Sequence, residues 1–334
     1  MLPLPDFFDP DKLDQVWRVP YEERAKQAQD WARRYGLLPA SVDRTTTWLM
    51  LVDVQNTFCL PGFELYVAGR SGRGAVDDNH RLCQFVYRNL DKITQVTATL
   101  DTHQAMQVFH AIFLVDERGE HPTPYSTITA EEVREGKWRF NPALAGHFGV
   151  TPDYGQERLL HYTASLEAHG KYALTIWPYH AMLGGIGHAL VSSVEEAIFF
   201  HSVARLSQPH FEVKGDRPFT EHYSVIGPEV GRGPQGELLG EHNDKFVSML
   251  KQVDRLVIAG QAKSHCVAWT IADLLDDLRK EDPSLAKKIY LLEDCTSPVV
   301  TPGADFTEAA DEAFARFGGA GMHIVRSSDD FLAD

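Results

Sequence analysis

The 334-residue sequence has only four cysteines, Cys59, Cys83, Cys266 and Cys295, widely spaced and with no Cys-x-x-Cys pair. That spacing excludes a zinc ribbon and a disulfide framework, so each thiol is judged alone. Long apolar runs are missing as well: Trp48 to Val52 and Leu256 to Ala259 are the most hydrophobic stretches, far short of the ~20 residues that span a bilayer. There is no dense Lys/Arg run, and acidic side chains outnumber basic ones 47 to 32, a net charge of −15. This balance argues against a nucleic-acid footprint or an anionic membrane surface as partner. No internal repeat and no low-complexity tract occurs, which sets aside solenoid, collagenous and disordered classes. The amino terminus, Met-Leu-Pro-Leu-Pro-Asp, is acidic and proline-punctuated where a secretory leader is basic and then apolar, so a cytoplasmic location is expected.

What remains is a globular composition, 43% hydrophobic and 24% charged, with chain enough for one large domain or two ordinary ones. After an irregular acidic lead, Tyr21 to Tyr35 reads as a helix with a solvated face. From Thr45 the pattern alternates. β-Branched and apolar runs at Thr45–Asp53, Lys92–Asp101, His210–Lys214, Arg255–Gly260, Lys288–Asp294 and Met322–Arg326 read as strands. Helical periodicity covers His80–Leu90, Leu190–Leu206, Val267–Arg279 and Phe306–Phe317. Near-continuous apolar strands alternating with helices predict an α/β fold of three layers, a doubly wound, mainly parallel sheet covered on both faces. Ligands of such sheets sit at the carboxyl ends of the strands. That rule places Asp53, Asp101, Lys214, Gly260 and Asp294 on one rim.

Cys266 follows the fourth of these strand ends at the opening of a helix, where backbone N–H groups favour a thiolate and a developing oxyanion. A buried structural cysteine is the competing reading. Asp53 is a base for such a nucleophile or merely an acid ending a strand, and Lys214 an electrostatic partner or a rim lysine. Asp101-Thr-His103, with His180 further on, is a donor set for a borderline divalent metal, although 15 histidines make chance proximity a real competitor. Gly184-Gly185-Ile186-Gly187-His188 is not a phosphate loop, because no convincing strand precedes it and the lysine is missing.

Five segments occur in one order: Leu51-Val-Asp53-Val-Gln-Asn-Thr-Phe58-Cys59, Asp101-x-His103, Trp177-Pro-x-His180, Val213-Lys214-Gly215, and Ala259-Gly-Gln261-Ala262-x-x-x-Cys266-Val267. In this order the sequence resembles the nicotinamidases and the wider isochorismatase-like cysteine hydrolases over roughly residues 46 to 330. The resemblance implies a catalytic triad of Asp53, Lys214 and Cys266, with an oxyanion hole at the amides of Ala262 and Cys266. It further implies a cis Gln261–Ala262 bond, a metal held by Asp101, His103 and His180 (zinc, iron or manganese), and substrate contacts from Phe58, Trp177 and Gln261. The implied reaction is hydrolysis of a nicotinamide-like amide to the acid and ammonia through a thioester, with a small-molecule amide as partner and a homo-oligomer expected. The chain departs from the pattern in a long segment after His103, in a His110 set later than the usual second imidazole, and in Ala181 where a cysteine often follows the histidine. We therefore expect an extension over residues 1–45 and one hydrolase domain over 46–334 with an insertion at about 104–170. Alternatives are a metal-independent relative acting on a carbamoyl or ureido substrate, and a non-catalytic scaffold.

Overall fold

In a computed structural model, described for residues 1–301 and 303–332, six strands form one sheet. They are β1 (Thr47–Val52), β2 (Gln95–Asp101), β3 (His210–Lys214), β4 (Arg255–Gly260), β5 (Ile289–Leu292) and β6 (His323–Val325). Their order across the sheet is β6-β5-β4-β1-β2-β3, and every pairing is parallel. Strand order reverses between β1 and β4, so the crevice outside their carboxyl ends is the switch point at which such sheets bind ligands.

The alternation within the strands builds two cores. Met50, Val52 and Ile258 enter one, Leu49, Leu51, Val257 and Ala259 the other, as a two-residue side-chain period requires. Helices Gly74–Arg88 and Ser192–Arg205 cover the second core, with Tyr21–Tyr35 packed outside them through a buried ion pair between Arg24 and Glu196. The first core is closed by Asp244–Lys251, Ala268–Glu281 and Thr307–Gly319. In Ala268–Glu281 the buried residues Ile271, Leu274, Leu275 and Leu278 are those the helical spacing singles out.

The three-layer parallel architecture is as expected; His210–Lys214 and Arg255–Gly260 keep the expected bounds, and the other four strands are shorter than the expected ranges. Two helices of eight or more residues escaped the sequence reading, Pro152–Ala168 and Asp244–Lys251. The first lies in the stretch after His103, which also forms two small antiparallel pairs, Leu114–Val115 with Arg139–Phe140 and Thr127–Ile128 with Leu174–Thr175. These pieces pack Phe113, Phe140, Leu159 and Tyr162 into the first core beside the switch point. No helix among the described residues is long and apolar enough to cross a membrane.

Candidate active site

The carboxyl ends of β1, β2, β3 and β4 bring Asp53, Asp101, Lys214 and the Cys266 loop together. Asp53 leaves β1 in the left-handed region, φ 47°, a conformation costly for a non-glycine residue and common at functional sites. Its backbone N–H donates to Thr99 Oγ1 at 3.0 Å, and the same hydroxyl donates to Asp53 Oδ1 at 2.5 Å. Two residues along β1's exit, Gln55 clamps the Asp101 backbone: Nε2 donates to its carbonyl and Oε1 accepts from its N–H, both at 2.8 Å. The two strand ends are thereby held in fixed relative position.

Lys214, buried at the end of β3, joins every part of the site. Its Nζ lies 2.9 Å from Asp53 Oδ2 and 2.9 Å from Asp101 Oδ1, and it donates to the His222 carbonyl at 3.0 Å and to Cys266 Sγ at 3.5 Å. An ammonium has three protons for these four neighbours. Asp53 Oδ2 is the one left with ion-pair proximity but no directed hydrogen bond, so it retains a lone pair for another proton. Burial works against the lysine's charge, yet Asp101 and Asp53 hold it well above the ordinary lysine value. Burial pushes both the Cys266 thiol and the Asp53 carboxyl up, with Lys214 pulling each of them back. The resting nucleophile is accordingly a thiol, despite its place near a helix amino terminus, because desolvation outweighs the lysine.

Cys266 sits in a π-helical turn, Lys263–Val267, that leads into Ala268–Glu281. Such wide turns recur at functional sites. The Gln261–Ala262 bond is cis. Gly260, at φ 116°, brings β4 so close to β1 that a Cβ would lie 2.1 Å from the Val52 carbonyl oxygen, which only glycine tolerates.

Asp101, His103 and His180 present one ligand atom each within 4.8 Å of one another. His103 Nε2 lies 2.8 Å and His180 Nε2 3.7 Å from Asp101 Oδ2. His103 Nδ1 faces the Gly215 carbonyl at 3.0 Å and His180 Nδ1 the Pro178 carbonyl at 2.8 Å. A carbonyl only accepts, so each Nδ1 carries a hydrogen; His103 Nε2 hydrogen-bonds Asp101 Oδ2 at 2.8 Å, and His180 Nε2 turns a lone pair toward the same carboxylate at 3.7 Å. Two imidazole nitrogens and one carboxylate oxygen, all buried and oriented from behind, fit a divalent metal with positions left open for a ligand. Burial and the neighbouring His103 hold His180 down at about 3. Burial opposes ionisation of Asp101 but His103 and Lys214 prevail, keeping it well below the usual carboxylate range. His110 is buried with its ring centre 6.0 Å from that of His103, and its Nε2 has no partner among the described residues.

A cavity of about 430 Å³, mouth included, opens over Cys266. Phe58, Trp177, Asp101, His103, His180 and Ala262 line it. Gln261 does not: its Nε2 donates to Asp78 Oδ2 at 2.9 Å and its Oε1 accepts from the Ser297 N–H at 3.2 Å, which commits the side chain to bracing the loop from behind. Asp294 also stands apart, holding the Ser327 N–H and hydroxyl at 2.8 Å each. Missing from the sequence reading are Glu221, His222 and Tyr223, carried in by the irregular segment after Gly215, and His265 beside the nucleophile. Thr99 was legible in principle, since residues two apart on a strand share a face with Asp101.

No protein-family model matches the chain, and no curated protein matches it by sequence. Solved structures do. A nicotinamidase–pyrazinamidase of Acinetobacter baumanii superposes with a TM-score of 0.51 at 17% identity, covering 86% of this chain and 99% of its own. The yeast nicotinamidase gives 0.51 at 17%, covering 84% and 99%, and its structure with the inhibitor nicotinaldehyde also gives 0.51 at 17%, covering 84% and 100%. At this identity the likeness is one of fold.

Proposed function

We propose that the chain is a cysteine amidohydrolase that cleaves a nicotinamide-like heteroaromatic amide to its acid and ammonia. The observation that carries this reading is the lysine-centred knot, in which Lys214 Nζ touches Asp53, Asp101 and Cys266 at once. It supports reading Asp53 as the base and Cys266 as the nucleophile, beside the donor set Asp101, His103 and His180.

In this mechanism Cys266 Sγ attacks the amide carbonyl carbon as its proton passes to Asp53 Oδ2, the oxygen that lacks a directed bond. Proton loss and attack belong to one event, because the free thiolate is disfavoured by burial. Lys214 balances the charge of the departing proton's sulfur. The amides of Ala262 and Cys266 hold the tetrahedral oxyanion, each donor contributing about 3–4 kcal/mol. Asp53 then gives its proton to the leaving nitrogen, ammonia departs, and an acyl thioester remains on Cys266. Asp53 next takes a proton from a water that adds to the thioester, and the sulfur leaves and is reprotonated as the acid forms. Asp101, His103 and His180 would hold a divalent metal, zinc or else iron or manganese, which would supply a Lewis-acid anchor for the ring nitrogen. Phe58 and Trp177 flank the ring, which supports an aromatic substrate.

Ammonia release from nicotinamide by purified protein tests the reading. Turnover is expected to fall at least about 10³-fold in Cys266→Ala, and to fall on chelation and return with metal. Turnover that ignores chelation moves the assignment to a metal-independent carbamoyl or ureido hydrolase. A metal-loaded protein that releases ammonia from no amide is the scaffold reading instead.

A further inference from the structure

The residue before the nucleophile carries a buried ring nitrogen with no hydrogen-bond partner among the described residues. Val299 N–H donates to Ser264 Oγ at 3.0 Å, and that oxygen lies 2.8 Å from His265 Nδ1. Ser264 is 1% exposed, so its hydroxyl hydrogen goes to a protein acceptor, and His265 Nδ1 is the one within reach. Nδ1 is therefore the lone-pair nitrogen. Burial holds the ring neutral, down at about 3, so its single hydrogen resides on Nε2.

That Nε2 has no partner among the described residues, although His265 is only 4% exposed. The ring is boxed by Phe306, Tyr172, Tyr223 and Trp177, with centroids at 4.8, 4.9, 5.2 and 5.6 Å. The polar atom nearest in kind, Tyr223 Oη, already accepts from Trp177 Nε1 at 3.1 Å and hydrogen-bonds Glu221. His265 is among the residues that line the cavity, together with Cys266. A buried donor left unpaired is a cost to the fold unless a ligand satisfies it.

We propose that the His265 Nε2–H is a specificity donor, selecting amides that carry a hydrogen bond acceptor on the ring in addition to the reacting amide and the ring nitrogen. The inference rests on the amidohydrolase reading and names its substrate class: acceptor-substituted heteroaromatic amides. A site built around an N–H discriminates strongly against a ligand that leaves it unpaired.

The test compares ammonia release from nicotinamide and from ring-substituted nicotinamides bearing either a methoxy oxygen or a methyl group at the same position. The wild-type protein is expected to favour the best methoxy amide over its methyl counterpart by about tenfold or more in kcat/KM. In His265→Phe, which keeps a flat ring and removes the donor, the preference is expected to collapse to about twofold or less. His265→Gln retains an N–H and is expected to keep part of it, which separates the donor from ring shape. Nicotinamide turnover without any methoxy preference in the wild type overturns the inference and leaves the hydrolase reading standing. A preference kept equally by both variants, or lost equally from both, overturns it too. Ammonia from no amide at all overturns the hydrolase reading and this inference with it. The wild-type ratio needs no variant, so a His265 substitution that fails to fold still leaves a decision.

Discussion

Gly215 shows how tightly single residues are fixed around the lysine knot. It follows Lys214 at φ 86°, and a Cβ there would sit 2.7 Å from both Asp101 Oδ1 and His103 Cε1. Its carbonyl accepts from His103 Nδ1 and, at 2.6 Å, from Gln107 Nε2. One backbone unit thus sets the tautomer of a metal-type ligand and leaves space for its carboxylate. Gly215→Ala is expected to displace both groups, weakening metal retention by about 10–100-fold, the range seen when outer partners of ligands are lost. Metal content after dialysis, measured beside Gly236→Ala as a control at another positive φ (81°) with nothing within 4 Å of its Cβ, checks this. Equal retention in the two variants would remove Gly215 from the site's support. The proposed site residues Asp53, Asp101 and Lys214 were legible because acids and a lysine at strand ends have no packing reason to be there. Their partners Gln55 and His265 were not, since an amide or an imidazole looks the same in sequence whether it orients a neighbour or merely fills space.

Between elements, the loop carrying Ala262 and Cys266 is tied to the helix Gly74–Arg88 through Asp78. That carboxylate accepts from Gln261 Nε2 at 2.9 Å and pairs with Arg81 at 2.9 Å. Burial nonetheless raises it to about 6 from the ordinary 3.8, with Ser297, Gln261 and Arg81 pulling it down. A carboxyl whose folded value is raised contributes stability that is fully present below about pH 4 and is lost as pH rises through about 6. About two units correspond to about 2–3 kcal/mol. The stability difference between wild type and Asp78→Asn, from denaturant unfolding at pH 4 and pH 7.5, is therefore expected to move by that order in the variant's favour as pH rises. A pH-independent difference would falsify the account. Helices such as Ala268–Glu281 could be read from spacing because one face packs on the sheet. Pro152–Ala168 lacks that clean stripe, burying Gly155, Tyr162 and Thr163 alongside leucines, and its periodicity was correspondingly faint.

Across the whole molecule, the switch point between β1 and β4 explains why residues as distant in sequence as Asp53 and Cys266 share a site. The metal-type donors add a second long-range tie. Asp101 and His103 lie at the exit of β2, whereas His180 returns only after the whole segment carrying the Pro152–Ala168 helix. Its approach is guided by bridges between His103 and Met182 and between His110 and Trp177. A metal on all three ligands therefore cross-links the strand end to the far side of that segment, and it binds the folded chain alone because the unfolded chain holds no such arrangement. Binding stabilises by RT ln(1 + [M]/Kd), about 4 kcal/mol at a thousandfold excess over Kd. For a chain of this size we expect an increase in Tm of about 5 °C or more when zinc, iron or manganese is added to chelator-treated protein. His180→Ala, which cuts the tie and leaves the sheet intact, is expected to erase the increase. A Tm that ignores all three metals would show that the three side chains meet for another reason: Lys214 already neutralises Asp101 at 2.9 Å, and a knot of that strength holds the rim together without an ion.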